Sequence, residues 1–179
     1  MKKINKKYGI LLWITGLSGS GKTTISKLIF KDFKKNYGPT VLISGDDIRN
    51  IFNLKGYDKE TRLIIGKKYI KLCKLFINQK INVIFSVAGL FHKLRKIARK
   101  SIKNYCEIYI KTNIVNLKRK KKKIFYRKKM QNVWGLDIKP ELPKNPDIII
   151  NNTFKDDVSY LSNELIKKVT KILKYEKKK

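Results

Sequence analysis

Residues Gly16, Leu17, Ser18, Gly19, Ser20, Gly21, Lys22 and Thr23 match the pattern G-x-x-x-x-G-K-[ST] in full. Glycines at three of these positions let the backbone turn tightly and aim successive N–H groups inward. The helix that follows adds its positive end, and together they make a nest for anions. Lys22 is placed to reach β- and γ-phosphates, and the Thr23 hydroxyl to ligate Mg²⁺. The implied ligands are ATP and Mg²⁺, seated over Gly16–Thr24. A second cluster, Ser44-Gly45-Asp46-Asp47-Ile48-Arg49, follows another apolar run. Asp46 there could orient metal-bound water or accept a hydroxyl proton. Arg49, one turn on, could hold an acceptor's anion in a fork. The same residues also satisfy a plainer reading, a Ser/Asp cap opening a helix.

These groups need elements that bring them together, and the chain alternates suitably. Five short apolar runs read as buried strands: 10–14, 40–44, 82–87, 107–111 and 147–150. Segments with helical periodicity lie between them, at 23–37, 59–79, 91–103 and 114–125, and a closing helix at 158–173. This is the pattern of an α/β fold, P-loop NTPase-like and doubly wound: a five-stranded parallel sheet with helices on both faces. Ligands are expected at the carboxyl ends of the strands. Neither a linker nor a repeat interrupts the 179 residues, so one domain over 1–179 is expected.

Composition narrows the classes further. The formal net charge is +31, which by itself points to polyanions. Yet 38 of the 44 basic residues are lysine, whereas nucleic-acid readers lean on arginine. The bias toward Lys, Ile and Asn reads as that of an A+T-rich gene, so nucleic acid is not the expected partner. Cys73 and Cys106 have no companions at metal-ligand spacing, and His92 is the sole histidine. The apolar run before Gly16 is too short for a signal peptide, and no stretch approaches the roughly 18 apolar residues of a membrane span. A cytoplasmic protein with no membrane partner is expected.

The block Trp13–Thr24 (W-I-T-G-L-S-G-S-G-K-T-T) resembles the adenylyl-sulfate kinases. So do G-D-D-I-R at Gly45–Arg49, G-Y-D-K-E-T-R at Gly56–Arg62, N-Y-C-E-I-Y-I at Asn104–Ile110, N-V-W-G-L-D at Asn132–Asp137 and N-P-D-I-I-I at Asn145–Ile150. The resemblance runs in order from about Leu12 to Asn151. It implies a kinase that moves the γ-phosphate of ATP to the ribose 3′-hydroxyl of a small nucleotide acceptor, adenosine 5′-phosphosulfate in the family at large. By the same resemblance Asp46 activates the acceptor hydroxyl, Arg49 and Arg62 hold acceptor anions, and Tyr57 stacks on the acceptor base. Arg119 and Lys122 match basic positions over the nucleotide, in a basic lid from Arg119 to Asn132 that should close on the substrates. A homodimer is a candidate assembly.

Departures fall on the acceptor side. The family's D-G-D is S-G-D here, so Ser44 replaces a carboxylate. An Asn-Ile pair near the acceptor gives way to Leu63-Ile64-Ile65-Gly66, and Gly89 stands where the family has a serine before proline. The lid loses an Asp and is shorter. The phrases at Leu72–Ile84 and Gly89–His92 resemble a side branch found with surface-polysaccharide genes, in which one known activity is cytidine diphosphoramidate kinase. His92, at a strand's carboxyl end, is then a candidate acceptor contact. A third reading, of another class, is a basic nucleic-acid-binding protein with a vestigial phosphate loop.

Overall fold

The computed structural model describes residues 2–120 and 131–175. In chain order the elements are β1 (Lys2–Ile4), β2 (Leu11–Thr15), α1 (Lys22–Tyr37), β3 (Thr40–Ser44), α2 (Gly45–Ile51), α3 (Lys59–Asn78) and β4 (Asn82–Ser86). There follow α4 (His92–Ser101), β5 (Tyr105–Lys111), α5 (Ile114–Lys120), β6 (Ile148–Asn151), α6 (Val158–Ile172) and β7 (Leu173–Tyr175).

Five strands form one parallel sheet in the order β3-β4-β2-β5-β6. Every residue of β2 is buried, because helices cover both faces. Side chains alternate along it: Leu11 and Trp13 enter the core shared with α3 and α4, Leu12 and Ile14 the core shared with α1 and α6. On the latter face Ile25, Ile29 and Phe33 of α1 meet Leu161, Leu165 and Val169 of α6, each set recurring every fourth residue along its helix. The chain leaves β2 for β3 on one side, returns to β4, then crosses β2 to reach β5. That reversal opens a crevice beyond the strands' carboxyl ends.

The expected five strands are present, with β5 starting two residues early, where Tyr105 and Cys106 pair with Leu11 and Leu12. Differences lie at the chain's ends. Lys2–Ile4 and Leu173–Tyr175 pair as a separate two-stranded sheet, so the closing helix stops at Ile172. A three-residue strand carries too little pattern to be seen beforehand; Ile4, 2 % exposed, anchors it under α1 and α6. Helix α4 starts at His92 because Phe91 is extended. The expected end of the fourth helix, beyond Lys120, lies outside the described residues.

An ionic chain, buried at Arg95 and Glu107 and open to solvent at Arg99, braces the sheet against α4. Arg95 Nε lies 3.0 Å from Glu107 Oε1, Arg99 3.1 Å from Glu107 Oε2 and 3.2 Å from Asp147 Oδ1. Arg95 also donates to the carbonyls of Gly89 and Glu141, so it ties down the loop between β4 and α4. Glu107→Ala would leave the Arg95 guanidinium buried without its carboxylate. The expected loss in urea unfolding is about 3–5 kcal/mol at unchanged m-value; a loss under about 1 kcal/mol would show the network to be dispensable.

Candidate active site

The parallel register sets Ile14, Ser86 and Ser44 side by side, so three chain segments leave the sheet at one level. A cavity of about 730 Å³ opens there, walled by the Ser18–Thr24 stretch, α2, α3, the β4–α4 loop and Gln131–Trp134.

The loop between β2 and α1 explains its glycines. A Cβ on Gly16 would come 2.5 Å from the Ile110 carbonyl oxygen, so the loop presses on β5. Gly21 has φ 94°, and a Cβ there would lie 2.9 Å from Asn152 Nδ2. That amide donates to the Ser20 carbonyl at 3.0 Å, bracing the loop from the end of β6. Lys22 is the first residue of α1; it is largely buried and its Nζ donates to the Leu17 carbonyl at 2.8 Å, which lays the ammonium across the loop. Thr23 and Thr24 are exposed on the cavity wall. Thr23 Oγ1 lies 3.2 Å from Ser86 Oγ.

Helix α2 begins as the capping pattern predicts: Ser44 Oγ accepts from the Asp47 N–H at 3.1 Å. Ser44 therefore spends its hydroxyl on the helix, and it is Asp46 that lines the cavity. The cap and the functional reading coexist in one turn. Arg49 donates to the carbonyls of Leu54 (2.9 Å) and Gly56 (3.0 Å), and its guanidinium carbon sits 4.4 Å from the Tyr57 ring centre. Arg62 donates to the Tyr57 and Asn132 carbonyls and lies 5.2 Å from Tyr57 and 5.3 Å from Trp134. Burial, and then the neighbouring Arg49 charge, hold Arg62 below its ordinary pKa. Two cations converge on one exposed aromatic ring, an arrangement suited to an anionic, flat ligand.

Other expected contacts are placed elsewhere. His92 does not line the cavity: its Nδ1 is 2.8 Å from Arg95 Nη2, and its backbone N–H donates to Glu141. The first residue of α4, it is exposed and its ring joins the Arg95 network. Arg119 is exposed near the end of α5 and does not line the cavity either. Lys122 and most of the expected lid lie outside the described residues. Gly89 has φ 44°, and a Cβ there would meet Trp13 Cζ2 at 3.0 Å, so a serine could not replace it without strain.

Three cavity or loop residues escaped the sequence reading: Tyr69, Ser86 and Asn152. Tyr69 was in principle visible, since Arg62, Ile65, Gly66 and Tyr69 follow the spacing of one helical face. Ser86 ends an apolar run beside the loop-bearing strand. Asn152 carries no local signal, because its partner lies 132 residues away.

A protein-family model for adenylylsulphate kinase matches residues 8–151. The chain belongs to the adenylylsulphate kinase family. It is 32 % identical over 163 residues to the cytidine diphosphoramidate kinase of Campylobacter jejuni, covering 89 % of this chain and 95 % of that one. It is 30 % identical over 171 residues to the adenylyl-sulfate kinase of Clostridium kluyveri, covering 92 % and 85 %. The Mycobacterium tuberculosis APS kinase, solved with AMPPNP and APS, shares the fold at a TM-score of 0.81 and 23 % identity, over 91 % of this chain and 98 % of that one. The chain is thus an ATP-dependent kinase of the APS-kinase type, and the reading as a nucleic-acid binder with a vestigial loop gives way. No described helix is long and apolar enough to cross a membrane.

Gly21→Ala tests the loop. The left-handed conformation and the Asn152 contact together should cost at least about 1 kcal/mol and reshape the nest. Affinity for a fluorescent ATP analogue is expected to fall about ten-fold or more. Wild-type affinity would mean that the loop tolerates a side chain at this turn.

Proposed function

We propose that the kinase transfers the γ-phosphate of ATP to the 3′-hydroxyl of a nucleotide bearing an anionic 5′ group, with adenosine 5′-phosphosulfate, the family's substrate, as acceptor. The observation that carries this reading is the shared cavity: phosphate loop and Asp46 on one wall, Arg49, Tyr57 and Arg62 on the next.

In this reading the Gly16–Thr24 backbone and the Lys22 ammonium hold the donor phosphates. Thr23 Oγ1 and the Asp46 carboxylate are the oxygen donors that fit Mg²⁺. Held by Thr23 and Asp46, Mg²⁺ would supply charge neutralisation at the transferring phosphoryl group. The 3.2 Å Thr23–Ser86 contact, in which either hydroxyl can donate, leaves Thr23 Oγ1 a lone pair for the metal. Arg49 and Arg62 grip the acceptor's anionic group, and Tyr57 offers its face to the base. Asp46 accepts the 3′-hydroxyl proton as the oxygen–phosphorus bond forms and the bond from Pγ to the bridging oxygen of ADP breaks. Positioning and charge supply the rate, as is general for phosphoryl transfer.

A second acceptor, cytidine diphosphoramidate, is favoured by the acceptor wall itself. Ile65, Gly66 and Gly89 line it, in the stretches that depart from the family pattern, and Leu94 closes over Gly66, where a Cβ would lie 2.2 Å from Leu94 Cδ1. The Campylobacter jejuni relative carries the corresponding activity in its name.

An ATP-consumption assay against adenosine 5′-phosphosulfate, cytidine diphosphoramidate and simple nucleoside diphosphates separates the acceptors; turnover with none of them would overturn the acceptor proposal. Lys22→Ala and Asp46→Asn should each lower kcat by about 10²-fold or more while circular dichroism stays native. Arg62→Ala should raise the acceptor KM about ten-fold or more and leave the ATP KM near wild type, because a charged clamp is lost on one side only.

A further inference from the structure

Helix α2 is seven residues long, too short to hold its shape alone, yet it carries both Asp46 and Arg49. Its anchorage decides where these two side chains point. The Ser44 cap fixes its first turn from within, and Ile48 roots one side in the core. A third hold comes from α3. Tyr69 is 5 % exposed, and its hydroxyl donates to the Gly45 carbonyl at 3.0 Å.

Tyr69 is itself tightly located. Its ring meets Phe85 edge-on at 5.3 Å, and Phe85 meets Trp13 at 5.2 Å, so an aromatic row runs from the centre of the sheet to the cavity wall. Gly45 is pressed into the same place: a Cβ there would lie 3.1 Å from Val87 Cγ2 and 3.7 Å from Tyr69 Cε2. Burial pushes the Tyr69 hydroxyl up to about 12, so it stays protonated and remains a donor through the neutral range. The hydroxyl thus grips the peptide immediately before Asp46.

We propose that Tyr69 is a positioning residue for phosphoryl transfer, its hydroxyl bond to Gly45 setting the orientation of α2 and with it Asp46 and Arg49. The inference rests on the reading of Asp46 as proton acceptor. It assigns Tyr69 no contact with the reacting atoms. Loss of the bond should therefore affect the step in which Asp46 acts, and leave intact the phosphate-loop and Lys22 contacts that hold ATP, which Tyr69 does not brace.

Tyr69→Phe keeps the ring and its packing and removes only the donor. One neutral hydrogen bond corresponds to a fall in kcat of about five- to ten-fold, with the ATP KM within about two-fold of wild type. Hydrogen exchange should quicken at the α2 amides and stay unchanged in α3 and the sheet. A kcat within about two-fold of wild type, or faster exchange throughout the chain with a matching fall in Tm, would overturn the proposal by showing a purely structural tyrosine. The exchange measurement needs no acceptor. Wild-type protein inactive on every nucleotide would refute the acceptor reading, whereas unaltered α2 exchange in Tyr69→Phe would refute this one.

Discussion

The level register of three parallel strands is the constraint on which the site depends. Hydrogen bonding aligns Ile14 with Ser86 and Ser86 with Ser44, so the phosphate loop, the β4 terminus and α2 emerge together. A slip of one residue in either pairing would turn β2, β3 or β4 inside out, since alternate side chains feed two different cores. Core packing thereby enforces the geometry of the site, and core residues such as Trp13, Tyr69 and Leu94 form part of its wall. Gly16 completes the arrangement, as the loop can press on the Ile110 carbonyl only because no side chain intervenes.

Electrostatics at the acceptor wall run against local preference. Arg49 and Arg62 are like charges close enough to depress the Arg62 pKa, and burial depresses it more strongly. Backbone carbonyls and the Tyr57 and Trp134 rings hold them together, weak acceptors that neutralise nothing. Asp137 and Asp58 offset part of the charge on Arg62, and the paired guanidiniums are complemented by an anion. By contrast, Arg95 and Arg99 behind the β4–α4 loop are matched by Glu107 and Asp147. Arginines with carboxylates serve the fold, and arginines with carbonyls and rings face the cavity.

Much of the fold was legible because its strands are buried on both faces and its helices carry four-residue apolar spacing. The donor half of the site was legible for a related reason: the phosphate loop is contiguous, and its chemistry needs neighbouring residues. Asp46 and Arg49, three apart, could be read from one turn. His92 was read from its position near a strand's end, whereas its ring contacts Arg95, three residues on, and does not line the cavity. Ser44 was legible both as a departure and as part of a Ser/Asp cap, and its hydroxyl does accept from the Asp47 N–H at the start of α2.

By itself, then, the sequence determined an alternating α/β chain with a triphosphate-binding loop and a nearby acid and arginine, because each of these lies within one element and follows local spacing. Tertiary structure decided the rest. Tyr69 above Gly45, Asn152 beneath Ser20, Ser86 against Thr23 and Arg62 over Trp134 are contacts between residues 24 to 132 positions apart. No periodicity records such pairs. They arise only when strand order folds distant segments onto one crevice, and there they set what the cavity can hold.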